Sequence, residues 1–442
     1  MPREGRRRYA LVGAGARAEM FVRAVTGDHA ATAELVALAD VNQSRMDAHN
    51  RWLKAAGHEP VPTYAAADLA AMLARERVDE LIVTSMDRTH AGHIVTALEA
   101  GCDVITEKPM TVDAESCRRI LDAQDRTGHR VSVAFNYRFN PVHEMVRTLL
   151  AAGEIGEIGS VHFEWLLDVR HGADYFRRWH RDKANSGGLL VHKSGHHFDL
   201  VNWWLGAAPA EVYASGRLFF YGQAGRRHGY ARDYDRAHGS PAAQDDPFAL
   251  DLAANPRLRE LYLDAEAEDG YHRDQNVFAP GVTIEDDLAV VVRYDTGATM
   301  TYHLTAYAPW EGYRLMVNGS KGRLELEVVE NDHVSPGAAG ELKGAAVHGV
   351  SEAPELGGVT LTIRPYWAPP YQVKLQPHRR EGHGGADSRM TAVLFGARTD
   401  PMHRSATARD GALALLTGLA ANRSLQTSER VRVSDLLDLA KR

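Results

Sequence analysis

Two cysteines in 442 residues, Cys102 and Cys117, give no basis for a disulfide framework or a thiolate metal cluster, and they fit a reducing, cytoplasmic setting. No run approaches the about 18 apolar residues of a membrane-spanning helix. Basic charge is not in excess either. Lys and Arg number 51 against 58 Asp and Glu, a net charge of −7, so there is no general field to hold nucleic acid or an anionic membrane. The triplet Arg6-Arg7-Arg8 invites a twin-arginine export reading, but the apolar stretch behind it, Tyr9 to Val12, is too short for a signal core and reads as a first strand. Internal repeats are also missing.

What the chain does have is length and apolar content. With 44% hydrophobic residues it suits two domains, which we place at 1–139 and 140–442. Up to about residue 140, short apolar runs (9–12, 35–39, 80–84, 104–106, 131–135) alternate with helical stretches such as 91–100, which Gly101 ends. That alternation predicts an α/β domain with a doubly wound parallel sheet. Beyond residue 150 the period changes to two: Val161, Phe163, Trp165 and Leu167 alternate with opposite-face residues. Runs at 288–294 and 298–304 flank the turn Asp295-Thr296-Gly297, and runs at 313–317 and 323–328 flank the turn-rich 318–322. The second domain is therefore expected to be α+β on a mostly antiparallel open sheet. Two stretches, 221–280 and 330–358, fit neither pattern and read as insertions: lids, binding loops or assembly contacts.

Gly13-Ala14-Gly15-Ala16-Arg17-Ala18 spells G-x-G-x-x-A directly after the first strand and at the start of a helix, the context of a dinucleotide fingerprint. Gly13 serves the tight turn, Gly15 lets the backbone approach a pyrophosphate, and Ala18 keeps helix and strand close. Asp40, at the end of the second strand, is placed to accept ribose hydroxyls. With Val41 rather than an arginine after it, the predicted cofactor is NAD; Arg45, one turn on, keeps NADP open.

From Ser85-Met86-Asp87 to His90, then Glu107-Lys108-Pro109, Asn136-Tyr137-Arg138-Phe139-Asn140-Pro141 and Gly187-Gly188-Leu189-Leu190 leading to His196 and Asp199, the chain resembles the glucose-fructose oxidoreductase / inositol dehydrogenase / MocA-like (Gfo/Idh/MocA) family. Met86 and Asp87 stand where Pro and Asn are commoner, and His192 stands where the family's pattern has an aspartate four residues before its catalytic histidine. The resemblance implies a Rossmann domain, an antiparallel C-terminal sheet, NAD(P), a sugar, cyclitol or small-alcohol substrate, and a homo-oligomer, dimer or tetramer. It also implies that Lys108 sits beside the nicotinamide, on a bond to Pro109 expected to be cis, and that Ser85, Met86, His90 and Glu107 line the cofactor.

Oxidising a secondary alcohol by hydride transfer needs a base for the hydroxyl proton and a donor for the developing charge. Lys108 and His196 suit those roles, with His192 as a further titratable group. Helical spacing aligns His192, His196, Asp199 and Trp203 on one face of 188–205, beside Lys193. His192 and His196 share the spacing of zinc-binding helices, but Lys193 stands where H-E-x-x-H has its glutamate and nothing supplies a third ligand, so no metal is expected. Arg178, Trp179 and His180, in a cluster of charges and rings, suit a sugar pocket, with Tyr137 at the domain junction. The glycine-rich 381–387, with His383 and Asp387, reads as a loop closing over substrate and resembles H-G-G-x-D loops in NAD-dependent glycosidases of the same superfamily. The predicted activity is hydride transfer from a ring hydroxyl of a pyranose or cyclitol to NAD. Two alternatives stand beside it: an NAD-dependent glycoside hydrolase working by transient C3 oxidation, suited to anionic glycosides such as uronides or sulfosugars, and a non-catalytic NAD-sensing regulator.

Overall fold

The computed structural model describes residues 5–334, 358–375, 381–396 and 400–441. Six strands of the first sheet come from the first third of the chain: β1 (Arg7–Val12), β2 (Ala33–Asp40), β3 (Thr63–Ala65), β4 (Glu80–Val83), β5 (Asp103–Thr106) and β6 (Val131–Val133). They lie parallel in the order β6-β5-β4-β1-β2-β3. These strands are apolar on both sides because helices cover both faces. Leu11, Leu38, Ile82 and Ile105 meet Phe21 and Val25 of the helix Ala18–Thr26, while Ala10, Val12, Leu81 and Val83 meet Ile94, Ala97 and Leu98 of the helix His90–Glu99. A seventh strand, Ala406–Thr407, returns from far along the chain to pair antiparallel with β6.

Among the described residues the second sheet has nine strands. Eight are β7 (Ile158–Asp168), β8 (Pro209–Arg217), β9 (Asp287–Tyr294), β10 (Thr299–Ala308), β11 (Glu311–Gly319), β12 (Gly322–Asn331), β13 (Val359–Pro365) and β14 (Tyr371–Gln372); Val431–Arg432 adds an edge beside β8. All neighbours are antiparallel except β7 and β10. The period-two residues Val161, Phe163, Trp165 and Leu167 point inward, onto a layer that includes the helices Ser194–Leu205 and Ala408–Thr427. Both expected hairpins are present, and Gly297 takes the positive φ (89°) that the Asp295-Thr296-Gly297 turn requires.

Several expectations need correction. β3 has only three residues and too little pattern to register as a strand. The continuous helix expected over 188–205 is two pieces, Leu189–His192 and Ser194–Leu205, joined through Lys193. The glycine-rich 381–387 is not a loop but the start of the helix Glu381–Leu394, anchored by buried Ala386 and Met390. The insertion at 221–280 is ordered as short 3-10 and π turns around Phe220, Tyr230, Phe248 and Phe278. Its distal part crosses to the first domain, where Leu250, Leu252, Leu258 and Leu261 pack with Ala16 and Ala48. Of the stretch 330–358, residues 335–357 lie outside the described residues. No helix among the described residues is long and apolar enough to cross a membrane.

Candidate active site

The glycine turn joins β1 to the helix Ala18–Thr26. Gly13 has φ of 101°, and a Cβ there would fall 2.3 Å from the Ser85 nitrogen, so its role is to let the turn pass the end of β4. Gly15 is open by contrast: its nearest neighbour is the Tyr262 hydroxyl, 3.4 Å from where a Cβ would stand. Asp40 closes the other side of the turn, accepting from the Ala14 N–H (2.5 Å) and the Asn42 N–H (2.9 Å). Burial raises its pKa, against the pull of Arg45, and its two oxygens keep acceptor capacity for ribose hydroxyls. These residues fit a dinucleotide.

Arg17 is tied up in ion pairs: its Nε donates to Glu107 (2.5 Å) and its Nη atoms reach Asp387 (3.2 and 3.3 Å), which also accepts from Asn136 Nδ2 (2.8 Å). Asp387 therefore docks the helix Glu381–Leu394 onto the cofactor turn. His383 belongs to the same helix, and its side chain lies outside the described residues. His90 bridges the Ser85 carbonyl (3.0 Å) and the Pro109 carbonyl (2.8 Å), tying the turn that carries Ser85, Met86 and Asp87 to the Lys108–Pro109 segment, whose peptide bond is cis.

Lys108 stands at the junction of the two domains. Its Nζ donates to the His192 carbonyl (3.1 Å) and lies 3.3 Å from His192 Nε2, while His192 Nδ1 is 2.5 Å from Asp87 Oδ2. Asp87 and His192 are two of the three positions, with Met86, at which this chain departs from the resembled pattern. The carboxylate lost from the second domain is restored, from the other side of the site, by the first. With Nδ1–H donated to Asp87, Nε2 presents its lone pair toward Lys108. Burial drives each of the three toward its neutral form: the Lys108 pKa falls, the Asp87 pKa rises, and the His192 pKa drops well below its ordinary value, helped by the Lys108 charge. His180 packs against His192 at 4.2 Å between ring centres and stacks on Trp179; burial and the Arg178 charge keep it neutral. Asp87, His180 and His192 bring one ligand-capable atom each within 4.8 Å of one another. The charges of Lys108 and Arg178 bear on the same imidazoles and oppose a cation there.

His196 lies one turn beyond, stacked on Tyr137 at 4.3 Å and edge-on to Phe135. Lys193 Nζ donates to the Tyr137 hydroxyl (3.0 Å) and sits over the Trp165 ring. Asp199 is spent elsewhere: Arg138 grips both of its oxygens at 2.6 and 2.7 Å, a buried ion pair that fixes the junction segment. Arg178 donates to Asp174 (2.8 Å). The residues to which sequence reasoning gave no role are Asp87, Asp174, Tyr262 and Arg273; Tyr175, which opens the expected cluster of charges and rings, is edge-on to both His180 and His192. Asp87 carried a signal, as a departure from pattern that pairs with a second departure at His192.

Residues 7–135 match the family described as "oxidoreductase family, NAD-binding Rossmann fold", and residues 147–433 match its companion "oxidoreductase family, C-terminal alpha/beta domain". The chain belongs to the Gfo/Idh/MocA oxidoreductase family. Among its relatives, the Bacillus subtilis (strain 168) protein YteT is 32% identical over 434 residues, 95% of this chain and 96% of that one. An inositol 2-dehydrogenase of Rhizobium meliloti (strain 1021) is 31% identical over 52% of this chain and 62% of the enzyme. The aldose-aldose oxidoreductase of Caulobacter crescentus, solved with glycerol, shares the fold at a TM-score of 0.63 and 16% identity, covering 97% of this chain and 100% of that one. The WlbA dehydrogenase of Bordetella pertussis, solved with NADH and UDP-GlcNAcA, gives 0.62 and 19%, over 97% and 99%. As a Gfo/Idh/MocA protein, this chain carries an NAD(P)-binding Rossmann domain and the family's second sheet.

Proposed function

We propose that this protein is an NAD-dependent, cytoplasmic, homo-oligomeric oxidoreductase that removes hydride from a ring hydroxyl of a pyranose sugar or cyclitol. The observation that carries the reading is the buried chain of contacts Lys108–His192–Asp87, which joins the cis Lys108–Pro109 segment of the first domain to the second. The substrate class draws on the relatives named for inositol and aldose. NAD, when bound, supplies the hydride acceptor at nicotinamide C4. Lys108 donates a hydrogen bond to the reacting oxygen, and His196 takes the hydroxyl proton. His192, oriented by Asp87, relays charge to Lys108. NAD is favoured over NADP because Asp40 is an acid followed by Val41, while Arg45 is engaged by Asp269 (2.8 Å) and the Leu261 carbonyl (3.0 Å). Trp179, His180 and Tyr137 form the sugar wall.

A second reading has one observation in its favour. The Asp87–His192 pair is a base beyond what simple oxidation needs, and a glycosidase acting by transient C3 oxidation needs one more base, for the C2 proton. Both are tested by offering NAD with neutral and anionic sugars and p-nitrophenyl glycosides, following NADH and nitrophenolate together. NADH formed in step with free sugar supports the first reading. Nitrophenolate without net NADH replaces it with the second, and neither signal overturns both.

A further inference from the structure

The 221–280 insertion does not stop at the second domain. The Tyr262 hydroxyl accepts the Ala16 N–H (2.9 Å), the amide that follows Gly15 at the start of the helix Ala18–Thr26, where a dinucleotide pyrophosphate is expected. The contact is held by several others: Asn42 Nδ2 donates to the Ala265 carbonyl (2.8 Å), the Gln43 and Ser44 amides donate to Glu268 (2.6 and 3.0 Å), and Arg257 stacks on Trp52 at 3.9 Å. A wall of the groove is thus built by a segment some 250 residues away from the glycine turn in sequence.

Behind Tyr262 lies a cluster of buried arginines. Arg273, 1% exposed, sits over the Tyr262 ring at 5.0 Å, and the Arg178 charge acts on the Tyr262 and Tyr271 hydroxyls. Arg177, Arg178 and Arg273 all turn to one carboxylate, Asp174, at 3.5, 2.8 and 3.4 Å. Each keeps a buried Nε without a partner; Arg273 Nη1 and the Tyr271 hydroxyl also lack one. Buried guanidinium donors left unmet beside a single shared acid are costly unless an anion completes them. Arg178 also acts on Asp87, so the cluster runs from the pyrophosphate turn toward Lys108.

We propose that Arg178, Tyr262, Tyr271 and Arg273 are the second half of the cofactor's pyrophosphate site, contributed by the second domain and facing the glycine turn. The Tyr262 hydroxyl, which accepts from Ala16, retains a proton to donate to a phosphate oxygen, and the guanidiniums neutralise the dianion. The inference rests on the NAD reading above.

The test is binding, not turnover. Protein stripped of nucleotide is titrated with NAD by calorimetry, and inorganic pyrophosphate and adenosine are used as competitors. Arg273→Met is expected to weaken NAD about tenfold or more, and Tyr271→Phe about threefold. Pyrophosphate should displace NAD from the unaltered protein and lose that power about tenfold in Arg273→Met, whereas adenosine, which has no phosphate, should compete equally in both. If Arg273→Met does not fold, Tyr271→Phe and Tyr262→Phe, which remove one oxygen each, carry the test by the same titration. NAD affinity unchanged within twofold in the folded variants, or pyrophosphate that fails to compete, overturns the inference. So does a loss of glucuronate binding with NAD intact, which would give the cluster to substrate. Failure of the unaltered protein to bind NAD would instead defeat the proposed function.

Discussion

Asp87→Asn isolates the feature that sets this site apart. Asparagine fills the same volume, so the perturbation is electronic: it removes a carboxylate 2.5 Å from His192 Nδ1, in a place where Asp87 and His192 are both largely shielded from water. A hydrogen bond to an ionised partner in such a setting contributes about 1.5–3 kcal/mol. Nothing else in the site replaces it, because the other groups bearing on His192 (Lys108, Arg178 and Lys193) are cations. An asparagine can also rotate its amide to donate to Nδ1. That would put the proton on Nε2, facing the Lys108 amine, and set two donors against each other. Loss of the bond alone converts to roughly 10- to 150-fold in rate at 1.4 kcal/mol per decade, and the wrong tautomer adds to it. The assay is single-turnover reduction of NAD at saturating sugar, followed at 340 nm, with NAD affinity measured beside it. The rate should fall by that range while NAD affinity holds within twofold. The double variant Asp87→Asn with His192→Gln should be little slower than His192→Gln alone, since both act through one imidazole. A rate within threefold of the unaltered protein, or losses in the double variant that simply multiply, would refute the relay.

Other predictions follow from the same geometry. Gly13→Ala should cost about 2 kcal/mol or more in urea unfolding, because it forces a Cβ against the Ser85 backbone at positive φ, whereas Gly15→Ala should keep its stability and lose NAD affinity. Asp199→Asn leaves Arg138 buried with a distant Asp410 (3.4 Å) as its remaining acid, and should lose about 3–5 kcal/mol of stability; unchanged stability with a raised KM for sugar would return Asp199 to the substrate site. Burial holds the pKa of His49 and of His143 down to about 4. Because the unfolded chain takes up those protons near pH 6.5, stability is full above that pH and is lost as the pH falls toward 4. The melting temperature should drop over that window, and His143→Gln should make the drop shallower.

Much of the fold was legible because burial leaves a period in the sequence. Strands β1, β2, β4 and β5 are apolar on both sides, and β7 and β9 to β12 alternate, so each announced its environment, whereas β8 did not. Where a local pattern was silent or misleading, a distant contact had decided the outcome. E-G-H-G-G-A-D reads as a loop, yet Arg17 and Asn136 hold Asp387 and make it a helix end. Helical spacing runs unbroken through 188–205, but the chain breaks at Lys193, whose amine is drawn to Tyr137 and Trp165. In the site, Lys108 and the glycine turn were readable because each sits in a motif. Asp87 finds its histidine 105 positions away, and Tyr262 finds its amide 246 away, separations for which no spacing rule exists.

The strand Ala406–Thr407 has a consequence for how the protein is made. It pairs with β6, which leaves the ribosome about 270 residues earlier. At 5–20 residues per second, the edge of the cofactor sheet stays bare for roughly 15–50 s of every round of synthesis. During that interval a nascent Rossmann half offers other chains an open hydrogen-bonding edge. A gene cut after residue 139 would make that transient exposure permanent, and the fragment should precipitate where the whole chain stays in solution.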